Sequence, residues 1–402
     1  MRKNGLFFKT MSVSLSALLT AGVCAFSACG VTGDGSSGGK VETPEIEKID
    51  DLTDERYVNL YGRNFYNENL AGMTFVNSAS GFELKFRGTS VSAKLCKIGS
   101  RDSMWSVFVD GETDSNARVL TFTDTKGVFI EKTLVEGLSE GEHIIKVLKR
   151  TPSNFDRLLV KEISSDGMFT AVPEKPSVNI AFYGDSITCG EGVLRDYKSS
   201  KGAKEYTALT QNALQSYAAY AAGKLNASYE IFGRGGITLK FRNPDIEPFS
   251  VLNNYKSYAV DLSVANGDCP EYDFSSTVDA VVVYLGTNDY LRNKNYSTGY
   301  TPAGMKAAYI EFVDSVIATH YGSDIPIVLC SGLMVSGSEL SDCVREAVET
   351  LKAKYPYIAA VVFEPGVTEP SGGHPVVEDS IKAGDVLAAT LKTLLENSGL
   401  IK

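Results

Sequence analysis

Residues 278–285 read VDAVVVYL and residues 286–290 read GTNDY. The first stretch is short, β-branched and almost wholly apolar, the composition of a strand buried on both faces. The second breaks it with glycine and polar residues. The same pairing recurs on either side. Short apolar runs stand at Val178–Tyr183, Tyr229–Phe232, Pro326–Cys330 and Ile358–Phe363. Between them, Ala208–Leu225, Met305–Thr319, Leu340–Lys354 and Ile381–Leu395 carry helical spacing. Strands alternating with helices predict a parallel sheet covered on both faces, an α/β/α arrangement. In such sheets sites form at the carboxyl ends of the strands.

Upstream the period changes to two. Phe82, Leu84 and Phe86 alternate with Glu83, Lys85 and Arg87, and Val91, Ala93 and Leu95 alternate again. Met104–Val109 runs into Asp110-Gly111, a hairpin signal, and His143–Leu148 and Leu158–Ile163 read as further strands. Short strands at close spacing predict a β-sandwich over residues 55–171. The two prolines of VPEKP, residues 172–176, mark a linker to an α/β domain over 177–402.

The 402 residues carry 39 Lys plus Arg against 49 Asp plus Glu, a net charge of −10. No basic run is present, which argues against a nucleic-acid partner. The chain has three histidines, His143, His320 and His374, so any histidine-dependent chemistry must use one of them. Their spacing fits no short metal motif, and no metal site is expected.

Three strand ends carry polar punctuation. The first is GDSITCG at 184–190, with Ser186 just past the strand, before an expected helix. A hydroxyl there sits near backbone N–H groups that favour developing negative charge, although an N-cap serine reads the same way. The second is Gly233-Arg234-Gly235-Gly236, where glycine lets the backbone approach a ligand. It lacks the lysine and hydroxyl of a phosphate loop. The third is the GTND above, in which Asn288 offers the amide donor that an oxyanion hole needs, or closes an Asx turn. His374 lies in the loop before the last helix, in SGGHP at 371–375. His320 sits in a helix's last turn and His143 opens a strand, both ordinary structural positions.

These pieces together resemble the SGNH hydrolase superfamily, whose four blocks follow in the order Ser186, Gly235, Asn288, His374. The string GDSITCGEG, the preceding β half and GEH at 141–143 resemble carbohydrate esterase family 2, over roughly residues 55–398. That resemblance implies an N-terminal jelly roll and an SGNH domain that removes acetyl groups from polysaccharide hydroxyls without a cofactor. It implies Ser186 as nucleophile and His374 as general base. The oxyanion hole would be formed by the N–H groups of Ser186 and Gly235, or else Gly236, with the Asn288 side chain. The superfamily's Asp three residues before the histidine is replaced by Ser371. The resemblance is therefore to members that use a Ser–His pair with the imidazole held by a main-chain carbonyl, here expected from the 369–373 loop. Glu369, Glu378 and Asp379 stand at the wrong offset to take the missing Asp's place. The tryptophan often found before the histidine is Gly373, which leaves Tyr290 as the candidate aromatic wall for substrate. Two alternatives stay open: an SGNH esterase for another acyl ester, such as an acylated cell-wall sugar, and a sugar-binding lipoprotein without catalysis.

The N-terminus reads as an address. Arg2, Lys3 and Lys9 precede a mostly apolar Ser12–Phe26, too short to span a bilayer comfortably. Phe26-Ser27-Ala28-Cys29 resembles a lipobox, implying a signal over 1–28, lipid on Cys29 and a Gly/Ser-rich tether over 29–54. The protein is expected to be exported and held at a bacterial cell surface, its only membrane contact through that lipid. Cys96, Cys189, Cys269, Cys330 and Cys343 show no disulfide framework and read as buried small residues.

Overall fold

The structure is a computed structural model that describes residues 43–402, apart from 124–125, 200, 203–204, 243–247, 262–268, 294–295 and 369–372. The expected signal, the lipidation residue Cys29 and most of the tether lie outside the described residues.

The N-terminal half is antiparallel, as its period-two sequence predicts. Strand Gly81–Arg87 pairs with Glu142–Lys149, which pairs with Ser103–Val109, which pairs with Arg118–Phe122. The other edge of Gly81–Arg87 is shared by Asn59–Tyr61 and by the end of the long strand Leu158–Thr170. That long strand pairs along its first part with Gly72–Phe75 and Val91–Lys97. Phe82, Leu84 and Phe86 point into one core with Leu95, Trp105, Val107, Ile145 and Phe169. Glu83 and Lys85 are only partly buried and Arg87 is exposed. Strand Ile46–Ile49, which pairs with Ile163–Phe169, falls within the stretch read as tether. Its Ile49 joins the same core, so the folded body begins earlier than the composition suggests.

The C-terminal half holds a five-stranded parallel sheet in the spatial order 228–233, 179–184, 280–284, 327–333, 358–365. Alternate residues of each strand feed two cores. Ala181, Tyr183, Val281 and Val283 pack with Met305, Tyr309, Phe312 and Val344 on one face. Phe182, Val282, Tyr284 and Val328 pack with Tyr217, Leu387 and Leu391 on the other. The chain runs from its first strand outward to the second, then returns past the first to the third. The crevice between the first and third strands is therefore the topological switch point of the sheet.

One expected helix is mostly absent. Residues 208–216 form two short 3-10 turns, and the α-helix runs only over Tyr217–Lys224. The segment spends its polar groups on the β half instead. The Ala213 N–H donates to Arg150 O at 3.0 Å, and Asn212 Nδ2 donates to Asp114 Oδ2 at 2.7 Å. The two halves are also pinned by Arg63, which is fully buried. Its guanidinium bonds Glu230 Oε1 at 3.1 Å, the hydroxyls of Tyr183 and Tyr321 at 2.6 and 3.0 Å, and Tyr255 O at 3.2 Å. It also lies 4.1 Å from the Tyr272 ring centre.

The five described cysteines are buried and unpaired. Among the described residues no helix is long and apolar enough to cross a membrane.

Candidate active site

Gly184 ends the first strand of the parallel sheet, in register with Gly233 on one side and Tyr284 on the other. Three loops therefore leave the sheet at one level, at the switch point. The turn after Gly184 is tight. A Cβ on Gly184 would fall 1.9 Å from Thr188 Oγ1, so only glycine fits. Asp185, fully buried, accepts the Ile187 N–H at 2.9 Å in an Asx turn, and the Cys189 N–H donates to Asp185 O at 3.1 Å. Loss of solvent pushes the Asp185 carboxyl up to about 7. This turn presents Ser186, 6% exposed, at the crevice.

Asn288 ties the loops together. Its Nδ2 donates to Ile237 O at 2.9 Å in the second loop and lies 3.4 Å from Asp185 Oδ2 in the first. The neighbouring Asp289, fully buried, accepts three consecutive backbone N–H groups, from Leu239, Lys240 and Phe241, at 2.7–2.9 Å. It was not singled out from the sequence, although the same GTND string carries it. Gly235 faces Glu191, whose Oε2 stands 2.2 Å from where a Cβ would be. Gly236 has φ +77°, and a Cβ there would meet the Arg292 guanidinium at 2.6 Å. Among the described residues, no acceptor is hydrogen-bonded to the N–H of Ser186 or of Gly235.

His374 arrives on the long loop between the sheet's edge strand Ile358–Pro365 and helix Val377–Asn397. Its Nε2 stands 2.7 Å from Ser186 Oγ, across 188 residues of sequence. Its Nδ1 stands 3.1 Å from the hydroxyl of Tyr206, and the two rings meet edge to face with centroids 5.2 Å apart. Tyr206 was not singled out from the sequence, which looked for a backbone carbonyl at this nitrogen. Residues 369–372 of that loop, Ser371 and Glu369 included, lie outside the described residues. Arg195, 5% exposed, hydrogen-bonds the Tyr206 hydroxyl, lies 4.5 Å from the centre of its ring and donates to His374 O at 2.6 Å. Thr368 Oγ1 donates to the same carbonyl at 2.6 Å. Burial, and then the nearby Arg195 cation, pull the His374 imidazole down from 6.5 to about 4. The ring is neutral at pH 7 and able to accept a proton.

Asp379, near His374 in sequence, does other work. Asp379 accepts the Val367 N–H at 2.9 Å and the Val376 N–H at 3.1 Å, closing the start of helix Val377–Asn397. Glu378 is exposed. The other histidines are structural. His143 bonds Asp110 Oδ2 at 2.7 Å and Ser139 O at 2.8 Å, and His320 stacks on Phe274 at 3.8 Å. Tyr290, the expected aromatic wall, packs edge-on against Tyr300 at 6.0 Å and against the sheet's core. The ring that stands beside His374 is Tyr206. Among the described residues no group of three or more His, Cys, Asp or Glu is gathered to hold a metal ion.

The family model for the N-terminal domain of carbohydrate esterase 2 matches residues 61–173. The chain is 29% identical over 268 residues to the cellulase/esterase CelE of Acetivibrio thermocellus, covering 66% of this chain but only 30% of that protein's length. It is 22% identical over 346 residues to the acetylxylan esterase/glucomannan deacetylase of Cellvibrio japonicus, covering 85% of this chain and 89% of that one. A family two carbohydrate esterase from Clostridium thermocellum, solved in complex with cellohexaose, superposes with a TM-score of 0.69 at 25% identity, over 86% of this chain and all of that one. With an antiparallel N-terminal half, a parallel sheet behind it and the Ser, Gly, Asn and His blocks on loops of that sheet, the chain is similar over most of its length to family two carbohydrate esterases, and its residues 61–173 match the N-terminal domain of that family.

Proposed function

We propose that the protein is a carbohydrate esterase that removes O-acetyl groups from polysaccharide or oligosaccharide hydroxyls through a Ser186–His374 acyl-transfer mechanism. The observation that carries this reading is the 2.7 Å approach of His374 Nε2 to Ser186 Oγ beside the Asn288 amide loop. Neutral His374 takes the Ser186 proton as Oγ attacks the ester carbonyl. The N–H groups of Ser186 and Gly235, with Asn288 Nδ2, receive the developing oxyanion. The imidazolium then protonates the departing sugar oxygen. Water, deprotonated by the same ring, releases acetate from Ser186. The polysaccharides named for the relatives, xylan and glucomannan, are the natural first substrates to try. Acetate release from acetylated xylan and glucomannan, alongside a chromogenic acetyl ester, tests the proposal. The wild-type protein should turn over, and Ser186→Ala should fall to the uncatalysed background. Full activity in Ser186→Ala would refute the mechanism.

We also propose that the chain is exported and held at the cell surface by lipid on Cys29. Labelled fatty acid should enter the wild-type protein and not Cys29→Ala. Wild-type protein free in the medium and unlabelled would refute it.

A further inference from the structure

We propose that Tyr206, gripped by Arg195, is the positioning residue of the catalytic histidine, filling with a neutral phenol the place where a carboxylate usually stands. The inference rests on the esterase reading above for its kinetic consequence, but its geometry stands apart from it. A ring can serve Ser186 only with Nε2 unprotonated, so the proton must sit on Nδ1 and have an acceptor there. The group at Nδ1 is the Tyr206 hydroxyl at 3.1 Å. A phenol rotates freely and could equally donate, which would leave the wrong nitrogen protonated. Arg195 removes that freedom. It has no acceptor to offer and bonds the phenol oxygen while its charge lies over the ring, and the His374 backbone N–H approaches the same oxygen at 3.4 Å; with donors on that side the O–H turns away, and the oxygen faces Nδ1 as an acceptor. Its other arm holds His374 O at 2.6 Å, so one guanidinium fixes both the acceptor and the backbone of the residue to be oriented.

Two glycines show that the site is shaped for this pair. Gly192, in the GEG of GDSITCGEG, has φ +67°. A Cβ there would fall 2.7 Å from Tyr206 Cε1 and 2.9 Å from Arg195 Cδ. Gly373, where relatives often carry tryptophan, would place a Cβ 3.3 Å from an Arg195 terminal nitrogen, so a bulky residue there would crowd the guanidinium. The space beside Gly373 is thus taken by Thr368 and by Arg195, which holds Tyr206. The chemical cost is a weaker base, because a cation beside the ring disfavours imidazolium where Asp would stabilise it.

The test is nitrogen NMR on the purified protein with 15N-labelled histidine, where only three rings need assignment, together with steady-state kinetics on a chromogenic acetyl ester. Wild-type His374 should be the Nδ1–H tautomer. In Tyr206→Phe the ring should populate both tautomers, and kcat should fall about 10- to 100-fold while KM changes less than about twofold. In Arg195→Met the midpoint of His374 protonation should rise toward 6.5. A wild-type ring protonated on Nε2 would overturn the proposal. So would a Tyr206→Phe variant with the wild-type tautomer. If the wild-type protein shows the Nδ1–H tautomer but hydrolyses no ester, the esterase reading fails and the positioning assignment stands.

Discussion

The two halves of the Ser186–His374 pair are held in place by different means. Ser186 stands on a turn fixed by the sheet itself: Gly184 in register with Gly233 and Tyr284, an Asx turn on Asp185, and backbone latches on Asn288 and Asp289. His374 stands on a loop outside the sheet and is held by side chains, namely Tyr206, Arg195 and Thr368. The serine side is held by short side chains, Asp185, Asn288 and Asp289, that bond backbone groups close to a buried core and leave little room for movement. The histidine side depends on long polar side chains near the surface, with Tyr206 itself 37% exposed. Damage to the serine side should therefore spread through several loops. Damage to the histidine side should stay local and act on the orientation and basicity of one ring.

Several changes probe that contrast. The largest effect is expected for His374→Ala, which removes the ring hydrogen-bonded to Ser186 Oγ and should lower kcat by about 10⁴-fold or more. Retained activity would mean that the two sides do not work as one unit. Asn288→Ala should cost about 10²–10³ in kcat, by removing an oxyanion donor and unlinking Ile237 from the Asp185 turn. A change confined to KM would assign Asn288 to the loop alone.

The pH profile reads the histidine side. A base pulled down to about 4 is neutral above that pH and protonated below it. The acid limb of kcat/KM should therefore lie near 4, well below the ordinary histidine value of 6.5. An acid limb at 6.5 or above would show that burial and Arg195 do not govern the ring. The smallest effect is expected for Asp379→Asn. It weakens the start of the last helix, costing about 1 kcal/mol in thermal or denaturant unfolding, and activity should change less than about tenfold. A large rate loss would bring this carboxylate into the orientation of His374.

What the sequence made legible follows the same division. Strand ends, the GDS turn and the GTND loop are local: their signals are consecutive residues, and the structure brings Ser186, Gly235 and Asn288 to neighbouring loops at one sheet edge. Local reading also set Asp379 apart from His374, and its carboxylate is spent on the Val367 and Val376 N–H groups. It missed what depends on contacts across the chain. Tyr206 lies 168 residues from His374, just before the stretch 208–225 that reads as a helix, and no local pattern marks it. The helix expected over 208–225 was shortened because Ala213 and Asn212 bond to Arg150 and Asp114 of the other half, which no local pattern encodes. Tyr290 stands two residues from Asn288, but on helix Thr287–Asn293 residues two apart face different sides, and its ring packs against Tyr300.

Arg63 bears on how this protein could be cut or recombined. Its charge belongs to the antiparallel half, yet every hydrogen bond described for it ends on the other half, on Glu230, Tyr183, Tyr321 and Tyr255. A fragment beginning after the 172–176 linker would leave the Glu230 carboxylate without its counter-ion and the hydroxyls of Tyr183 and Tyr321 without the guanidinium they meet. The antiparallel half is thus an internal counter-ion for the parallel sheet as well as a neighbour to it. Grafting either half onto a relative requires that the arginine and the glutamate travel together.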